Sequence, residues 1–273
     1  MLICLAIAIA GGGCAQDLFY YPDGVVYDQP SRAGLAFEQV AFASTDGTRL
    51  SGWFFPAAGH SSPREAKGTV IHFHGNARNI SAHWRLVQWL PRRGFNVLVF
   101  DYRGYGASQG RPDAKGIFED SNAALDYART RPDVDPERLI VFGQSLGGAN
   151  AIAVVGSGNR AGVKAIAVEA TFYSYSSIAH DTLPGAGFLM DDTYSPERYI
   201  AKLAPTPFLL LHGTDDSVIP YAHSERLFAR AGEPKRLVKI QGGRHTEALT
   251  PRFRAVYEDL LLEFFEAALS AGG

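Results

Sequence analysis

A serine, a histidine and an aspartate stand in this chain at positions that could together make a nucleophile. The run Leu139-Ile140-Val141-Phe142-Gly143-Gln144-Ser145-Leu146-Gly147-Gly148 carries a short apolar, β-branched stretch into Gly-x-Ser-x-Gly, and an Ala-rich apolar stretch follows. That order reads as strand, tight turn and helix, the context in which a strained backbone lifts a serine hydroxyl above a sheet. Small residues at Gly143, Gly147 and Gly148 would relieve the crowding between strand and helix. An ordinary glycine turn is the plain alternative, because turns use both Gly and Ser freely.

Serine is a weak nucleophile at neutral pH and needs a base to take its proton and a third group to orient that base. The base candidate is His245, in Gln241-Gly242-Gly243-Arg244-His245, where the glycines allow a loop to return an imidazole over the sheet. His223 competes, but it falls on an expected helix, where a solvated histidine is the simpler reading. The acid lies in His212-Gly213-Thr214-Asp215-Asp216, and Asp216 is preferred. Asp215 would then cap the turn or face solvent, and Glu169, near the end of the preceding strand, is a third candidate. The oxyanion of a tetrahedral intermediate needs two N–H donors. One is expected from Leu146, directly after the serine, and the other from His74-Gly75-Asn76-Ala77, with Asn76 chosen.

These residues need a scaffold that collects them. Strands are expected over residues 37–43 and 49–55, joined by a turn at Thr45-Asp46-Gly47-Thr48, and over 69–74, 95–100, 139–143, 163–168, 208–211 and 237–240. Helices are expected over 80–93, 113–131, 146–156, 222–230 and 251–269. Alternating strands and helices imply a mostly parallel sheet covered on both faces, with ligands outside the carboxyl ends of the strands. His74, Ser145, Asp216 and His245 all fall just past such ends. Residues 171–204 break the rhythm and are rich in Tyr, Ser, Pro, Gly and Asp, as a lid insertion would be. His72 reads as a hydrogen-bonded core residue, Asp191-Asp192 as solvated, and Tyr102, Arg103 and Tyr105 as support beneath the site.

The 273 residues are 46% hydrophobic, with 26 basic and 28 acidic side chains. That suffices for one substantial core. Charges of both signs are interspersed, without the basic block that nucleic-acid binding uses. The two cysteines are Cys4 and Cys14, which leaves no thiol nucleophile or zinc cluster in the body of the chain. Residues Leu2 to Ala10 form an apolar run too short to span a bilayer and of signal-peptide length. Gly13-Cys14 is similar to the end of a bacterial lipobox, although Gly11 replaces the usual Leu and no basic residue precedes the run. The expected organisation is a leader over 1–14 with Cys14 as lipidation candidate, an extension over 15–36, and one domain over 37–273. A cell-envelope location at a membrane surface follows, with a cytoplasmic protein as the alternative.

His74-Gly75-Asn76-Ala77, Asp101-Tyr102-Arg103-Gly104-Tyr105-Gly106-x-Ser108, the Ser145 elbow, His212-Gly213-Thr214-Asp215-Asp216 and the His245 loop follow one another in an order that resembles the α/β-hydrolase superfamily. Within it, the chain resembles the branch of serine-aminopeptidase-like hydrolases and α/β-hydrolase-domain depalmitoylases, from Phe37 to Ala268. The resemblance implies an α/β-hydrolase fold with an eight-stranded sheet whose second strand is antiparallel, and it places the acid at the second aspartate, Asp216. The expected activity is a serine hydrolase cleaving a small acyl ester or thioester without cofactor or metal. A peptidase or amidase on the same triad is the alternative, and a non-catalytic binding module is a third. Haloalkane or epoxide chemistry would require an aspartate at position 145.

Overall fold

The computed structural model describes residues 19–59 and 62–271. The leader, with Cys4 and Cys14, lies outside the described residues. The main sheet has eight strands: β1 (Glu38–Ala43), β2 (Arg49–Phe55), β3 (Thr69–Phe73), β4 (Asn96–Phe100), β5 (Leu139–Gln144), β6 (Val163–Glu169), β7 (Phe208–Gly213) and β8 (Lys235–Ile240). Their spatial order is β8-β7-β6-β5-β3-β4-β2-β1. β2 runs antiparallel to both of its neighbours and the other pairings are parallel. The α/β-hydrolase expectation for the sheet is met.

The continuous apolar runs of β3, β4, β5 and β7 follow from burial on both sheet faces. Side chains alternate between faces, so Ile71, Leu98, Val141 and Leu210 enter one core while Val70, Val97, Ile140 and Leu209 enter the other. The first core is closed by α2 (Ala114–Thr130), α3 (Leu146–Ser157) and α5 (Ala222–Arg230), and the second by α1 (Ile80–His83) and α6 (Arg254–Ser270). The single helix expected over 80–93 is instead α1 followed by 3-10 turns at Trp84–Leu86 and Pro91–Arg93. Pro91 has no N–H to continue a helical ladder. The Trp84 indole stacks on Phe55 with ring centroids 6.0 Å apart, drawing the segment down onto the sheet.

Residues 171–204, expected as a lid, contain α4 (Tyr175–Thr182) and 3-10 turns at Ala186–Leu189, Pro196–Arg198 and Ile200–Lys202. Ser174 and Ser177 form a capping box at the start of α4. Phe172, Tyr173, Tyr175 and Ile178 are buried against the body, while Leu183, Phe188 and Leu189 are exposed. Asp192 is not simply solvated: it accepts from Ser176 N at 3.0 Å and from Ser195 Oγ at 2.5 Å, tying the insertion to itself. Arg103 is a structural tie, binding Asp120 on α2, Asp46 in the β1–β2 turn and Ser44.

Upstream of the domain, Tyr21–Pro22 pairs in parallel with Ala77–Arg78. Asp23 O accepts from Gly106 N at 2.9 Å. The N-terminal segment therefore lies across the loops that follow β3 and β4. Among the described residues, no helix is long and apolar enough to cross a membrane.

Candidate active site

β5 ends in a sharp turn at Ser145, whose φ is 54° and ψ is −119°. This region is costly for a residue with a Cβ and persists only where the surroundings enforce it. The enforcement is visible in the packing. A methyl group on Gly143 would come within 2.4 Å of Gly147 O, and one on Gly147 within 2.0 Å of Phe73 O. The elbow, the start of α3 and the end of β3 can approach this closely only because those positions carry no side chain. Ser145 N donates to Glu169 O at 2.9 Å, and Thr171 Oγ1 donates to Ser145 O at 2.9 Å, so both peptide groups of the strained residue are held.

The loop after β8 brings His245 over this serine. Its Nε2 lies 3.0 Å from Ser145 Oγ and its Nδ1 lies 2.8 Å from Asp216 Oδ2. With the Asp216 carboxylate as acceptor, the Nδ1–H tautomer follows, leaving Nε2 free to accept the serine proton. Asp216 stands on the turn after β7. Its Oδ1 accepts from Val218 N at 2.8 Å and Ile219 N at 2.9 Å. Burial pushes this carboxyl up, but hydrogen bonds from His212 and His245 and the Ile219 N–H outweigh it and hold it well below the usual carboxylate range. The structure thus joins Ser145, His245 and Asp216 in one hydrogen-bonded chain.

The remaining candidates for the base and acid go elsewhere. Asp215 is exposed and accepts from Thr214 Oγ1. Glu169 is fully buried but binds Ala248 N at 2.7 Å and Gln144 Nε2 at 2.6 Å, so it holds the loop that carries His245 rather than the imidazole itself. Gln144 Oε1 in turn accepts from His72 Nε2 at 3.0 Å, making the core histidine the far end of a buried chain beneath the elbow. His223 is on α5 as expected but buried, not solvated. Tyr173 N donates to its Nδ1 at 2.9 Å and its Nε2 donates to Asp181 at 2.7 Å.

The oxyanion donors were expected at Leu146 and Asn76. Leu146 is the first residue of α3, where a helix N–H has no partner inside the helix and the dipole favours negative charge. Gly75 runs beside the nucleophile, since a methyl group on it would lie 3.7 Å from Ser145 Cβ. Asn76 is gripped from two sides. Its Nδ2 donates to Phe19 O at 2.6 Å, and the Tyr105 hydroxyl reaches its O at 2.8 Å and its Oδ1 at 2.9 Å. Among the turns and loops of the described residues, neither the Leu146 nor the Asn76 N–H donates to a backbone carbonyl.

Two positioning groups escape a reading of spacing alone. His212, at the end of β7, approaches Asp216 Oδ2 with its Nε2 at 3.2 Å, while its Nδ1 accepts from Ser224 Oγ at 2.5 Å. It backs the acid from the side opposite His245. Tyr105 was expected as support beneath the site, and its hydroxyl contacts Asn76 directly. The only signal in the sequence is that His212 opens the His-Gly-Thr-Asp-Asp run and Tyr105 sits in the Gly-rich run after β4. Among the described residues, no group of His, Cys, Asp or Glu could hold a metal ion.

The Prolyl oligopeptidase family matches residues 81–272. The chain is 48% identical over 257 residues to the protein YfhR of Escherichia coli (strain K12), covering 94% of this chain and 89% of that one. It is 37% identical over 221 residues to the alpha/beta hydrolase domain-containing protein WAV2 of Arabidopsis thaliana, covering 74% and 69%. Among solved structures, the esterase Pf2001 of Pyrococcus furiosus superimposes with a TM-score of 0.76 at 18% identity, over 91% of this chain and 97% of that one, a likeness of fold.

Proposed function

Because the chain belongs to the Prolyl oligopeptidase family, within the α/β-hydrolase superfamily, we propose that it is a serine hydrolase that cleaves a carboxylic ester or thioester through an acyl-enzyme. The observation that carries this reading is the chain from Asp216 Oδ2 through His245 to Ser145 Oγ, with steps of 2.8 and 3.0 Å. His245 Nε2 takes the proton as Ser145 Oγ attacks the acyl carbon, and returns it to the departing alcohol or thiol. Asp216 holds the tautomer and stabilises the imidazolium without itself taking the proton. The oxyanion forms between the Leu146 and Asn76 N–H groups, each such donor lowering the barrier by about 3 to 4 kcal/mol. Water activated by the same histidine then releases the acid and restores the serine.

A peptidase or amidase reading is favoured by one observation, the family match itself. Amide leaving groups need stronger protonation, and peptide selection needs subsites; among the described residues there is an eight-stranded sheet and a two-stranded pairing, and no further sheet to supply them.

The test is fluorophosphonate labelling of the wild-type protein beside Ser145→Ala, with p-nitrophenyl esters of increasing chain length set against aminoacyl p-nitroanilides. Labelling should vanish in the variant and ester turnover fall by about 10⁴-fold or more. Labelling that persists in Ser145→Ala removes Ser145 as nucleophile, and anilides turned over better than matched esters move the peptidase reading to the front.

A further inference from the structure

His74 Nδ1 lies 2.7 Å from Gly75 O. A carbonyl oxygen can only accept, so Nδ1 carries the ring proton and the neutral imidazole leaves Nε2 bare. That Nε2 is buried, has no hydrogen-bond partner among the described residues, and stands 3.6 Å from Asp101 Oδ1. Asp101 and His74 are both buried. Two acceptors that face each other away from water are costly unless a proton lies between them. The groups around the pair disfavour charge on it. Asp23, in the N-terminal segment, opposes ionisation of Asp101, and burial pushes that carboxyl up to about 7. Burial pushes His74 well below the usual histidine range, and His83 on α1 and His72 on β3 add to that shift. Tyr102 and Tyr105 pack their rings 4.5 and 5.3 Å from the imidazole, and burial keeps both phenols protonated. Up to neutral pH, then, the pair is uncharged and the proton between its members belongs to Asp101.

The pair lies under the peptide that carries the proposed oxyanion donor. The Gly75–Asn76 peptide is trans, so its C=O and N–H point in opposite directions. With Gly75 O turned to the His74 ring, the Asn76 N–H is turned away from it. The neighbouring carbonyls are held in the same manner. His74 O accepts from the Tyr102 hydroxyl at 3.1 Å, Asn76 O from the Tyr105 hydroxyl at 2.8 Å, and Ala77 O from His83 Nε2 at 2.8 Å. Each phenol has one proton to give at one atom. An imidazole proton, in contrast, can pass from Nδ1 to Nε2 when the groups beside the ring change.

We propose that Asp101 is a positioning residue for the oxyanion donor and acts through the tautomer of His74, an inference that rests on the serine-hydrolase reading. While Asp101 is protonated, its O–H faces His74 Nε2, Nδ1–H stays on Gly75 O, and the Asn76 N–H keeps its aim. When hydroxide removes the Asp101 proton as water, the carboxylate draws the one ring proton to Nε2. The imidazole stays neutral and the pair goes from charge zero to minus one. Nδ1 is then a bare acceptor against Gly75 O, and the peptide turns to escape it. The Ser145–His245–Asp216 chain is untouched. The loss falls on the transition state, so kcat falls with rising pH while KM holds.

The experiment uses the full chain with isotope-labelled histidine, the His74 signals being those that His74→Asn lacks. Long-range proton–nitrogen correlations distinguish the two tautomers. His74 should hold the Nδ1–H form at about pH 6 and the Nε2–H form by about pH 9, and in Asp101→Asn it should keep one form throughout. A single tautomer across that range in the wild type, or a switch that persists in Asp101→Asn, overturns the proposal. Over the same range, kcat for p-nitrophenyl acetate should fall about tenfold with KM within about twofold, and the fall should shrink below about twofold in Asp101→Asn. A flat wild-type kcat, or an equal fall in the variant, also overturns it. Should Asp101→Asn fail to fold, the wild type decides: tautomer and kcat midpoints more than about one pH unit apart overturn the coupling. Fluorophosphonate labelling separates the two readings. Labelling with a fixed tautomer sinks the Asp101 proposal alone, and a tautomer switch without labelling at any pH sinks the hydrolase reading.

Discussion

Ser145 shows how a single residue is held in place by its neighbours. Its φ of 54° is unfavourable, yet Glu169 O and Thr171 Oγ1 hold the peptide groups on either side of it, so the hydroxyl cannot relax away from His245. The partner histidine is steadied in turn by a carboxylate that four donors keep ionised. In the proposed reading the oxyanion meets the Leu146 and Asn76 N–H groups, and Asn76 is held by the Tyr105 hydroxyl. Tyr105→Phe removes that grip without changing volume. We expect kcat for an ester to fall about tenfold with KM within twofold, less than the 10²-fold or more expected when a donor is removed outright. A loss confined to KM would instead make Tyr105 a substrate-binding residue. Asp216→Asn leaves the turn its Oδ1 acceptor but favours the wrong imidazole tautomer, and should lower kcat by about 10⁴-fold with little change in melting temperature.

At the scale of elements, the junction of β4 with α1 holds an unusual buried acid. Asp101 Oδ1 accepts from Ile80 N at 2.8 Å, at the start of α1. Burial pushes this carboxyl up to about 7, against smaller lowering contributions from the Ile80 and Ala107 N–H groups. A group whose folded pKa is raised stabilises the fold fully below its unfolded value, and that contribution is lost as pH rises through the folded value. Asp101 should therefore make the protein less stable between about pH 4 and pH 7, with a ceiling of roughly 4 kcal/mol. Asp101→Asn keeps an acceptor for Ile80 N and has nothing to ionise. The melting temperature of the variant relative to wild type should climb across that window, and a difference that stays flat with pH would show that Asp101 does not titrate there. The elbow is a second element-level constraint. Gly147→Ala would drive a methyl group to 2.0 Å from Phe73 O, a backbone atom that cannot yield cheaply, and soluble yield and melting temperature should both drop sharply.

For the whole molecule, one sheet with a core on each face brings together loops far apart in sequence. The serine and histidine are separated by 100 positions and meet at 3.0 Å. The family match begins at residue 81, but the site does not. The loop after β3, which carries Asn76, and the N-terminal segment adjoin it, with Phe19 wedged among Tyr20, Phe172 and Tyr175 while its carbonyl accepts from Asn76 Nδ2. Phe19→Ala loosens that wedge and should cost about 1 to 2 kcal/mol in stability. It should also reduce ester turnover more than the unfolded fraction explains, with Phe19→Leu recovering most of both. Turnover unchanged in folded Phe19→Ala would separate the N-terminal segment from the chemistry.

The amino-acid sequence by itself determined the features that are local in the chain. The periodicities of β3 to β7 and the elbow glycines are written over a few neighbouring residues, because a strand buried on both faces must be apolar throughout and a crowded turn must lack side chains. The candidates Ser145, His245 and Asp216 were legible in the same way, each just past a strand. The tertiary structure alone decided what depends on meetings across the fold. Glu169 ends β6 and Asp216 follows β7 by three residues, and only the path of the β8 loop turns one toward Ala248 N and the other toward His245. His223 has the spacing of a surface residue, but the insertion after β6 covers it. His212, Tyr105 and Phe19 act through contacts 4, 29 and 57 positions away. At 29 and 57 positions, local composition says nothing of the partner. The region over 80–93 is the instructive failure: helical spacing was present, but Pro91 interrupted the ladder and burial of Trp84 against Phe55 outweighed propensity.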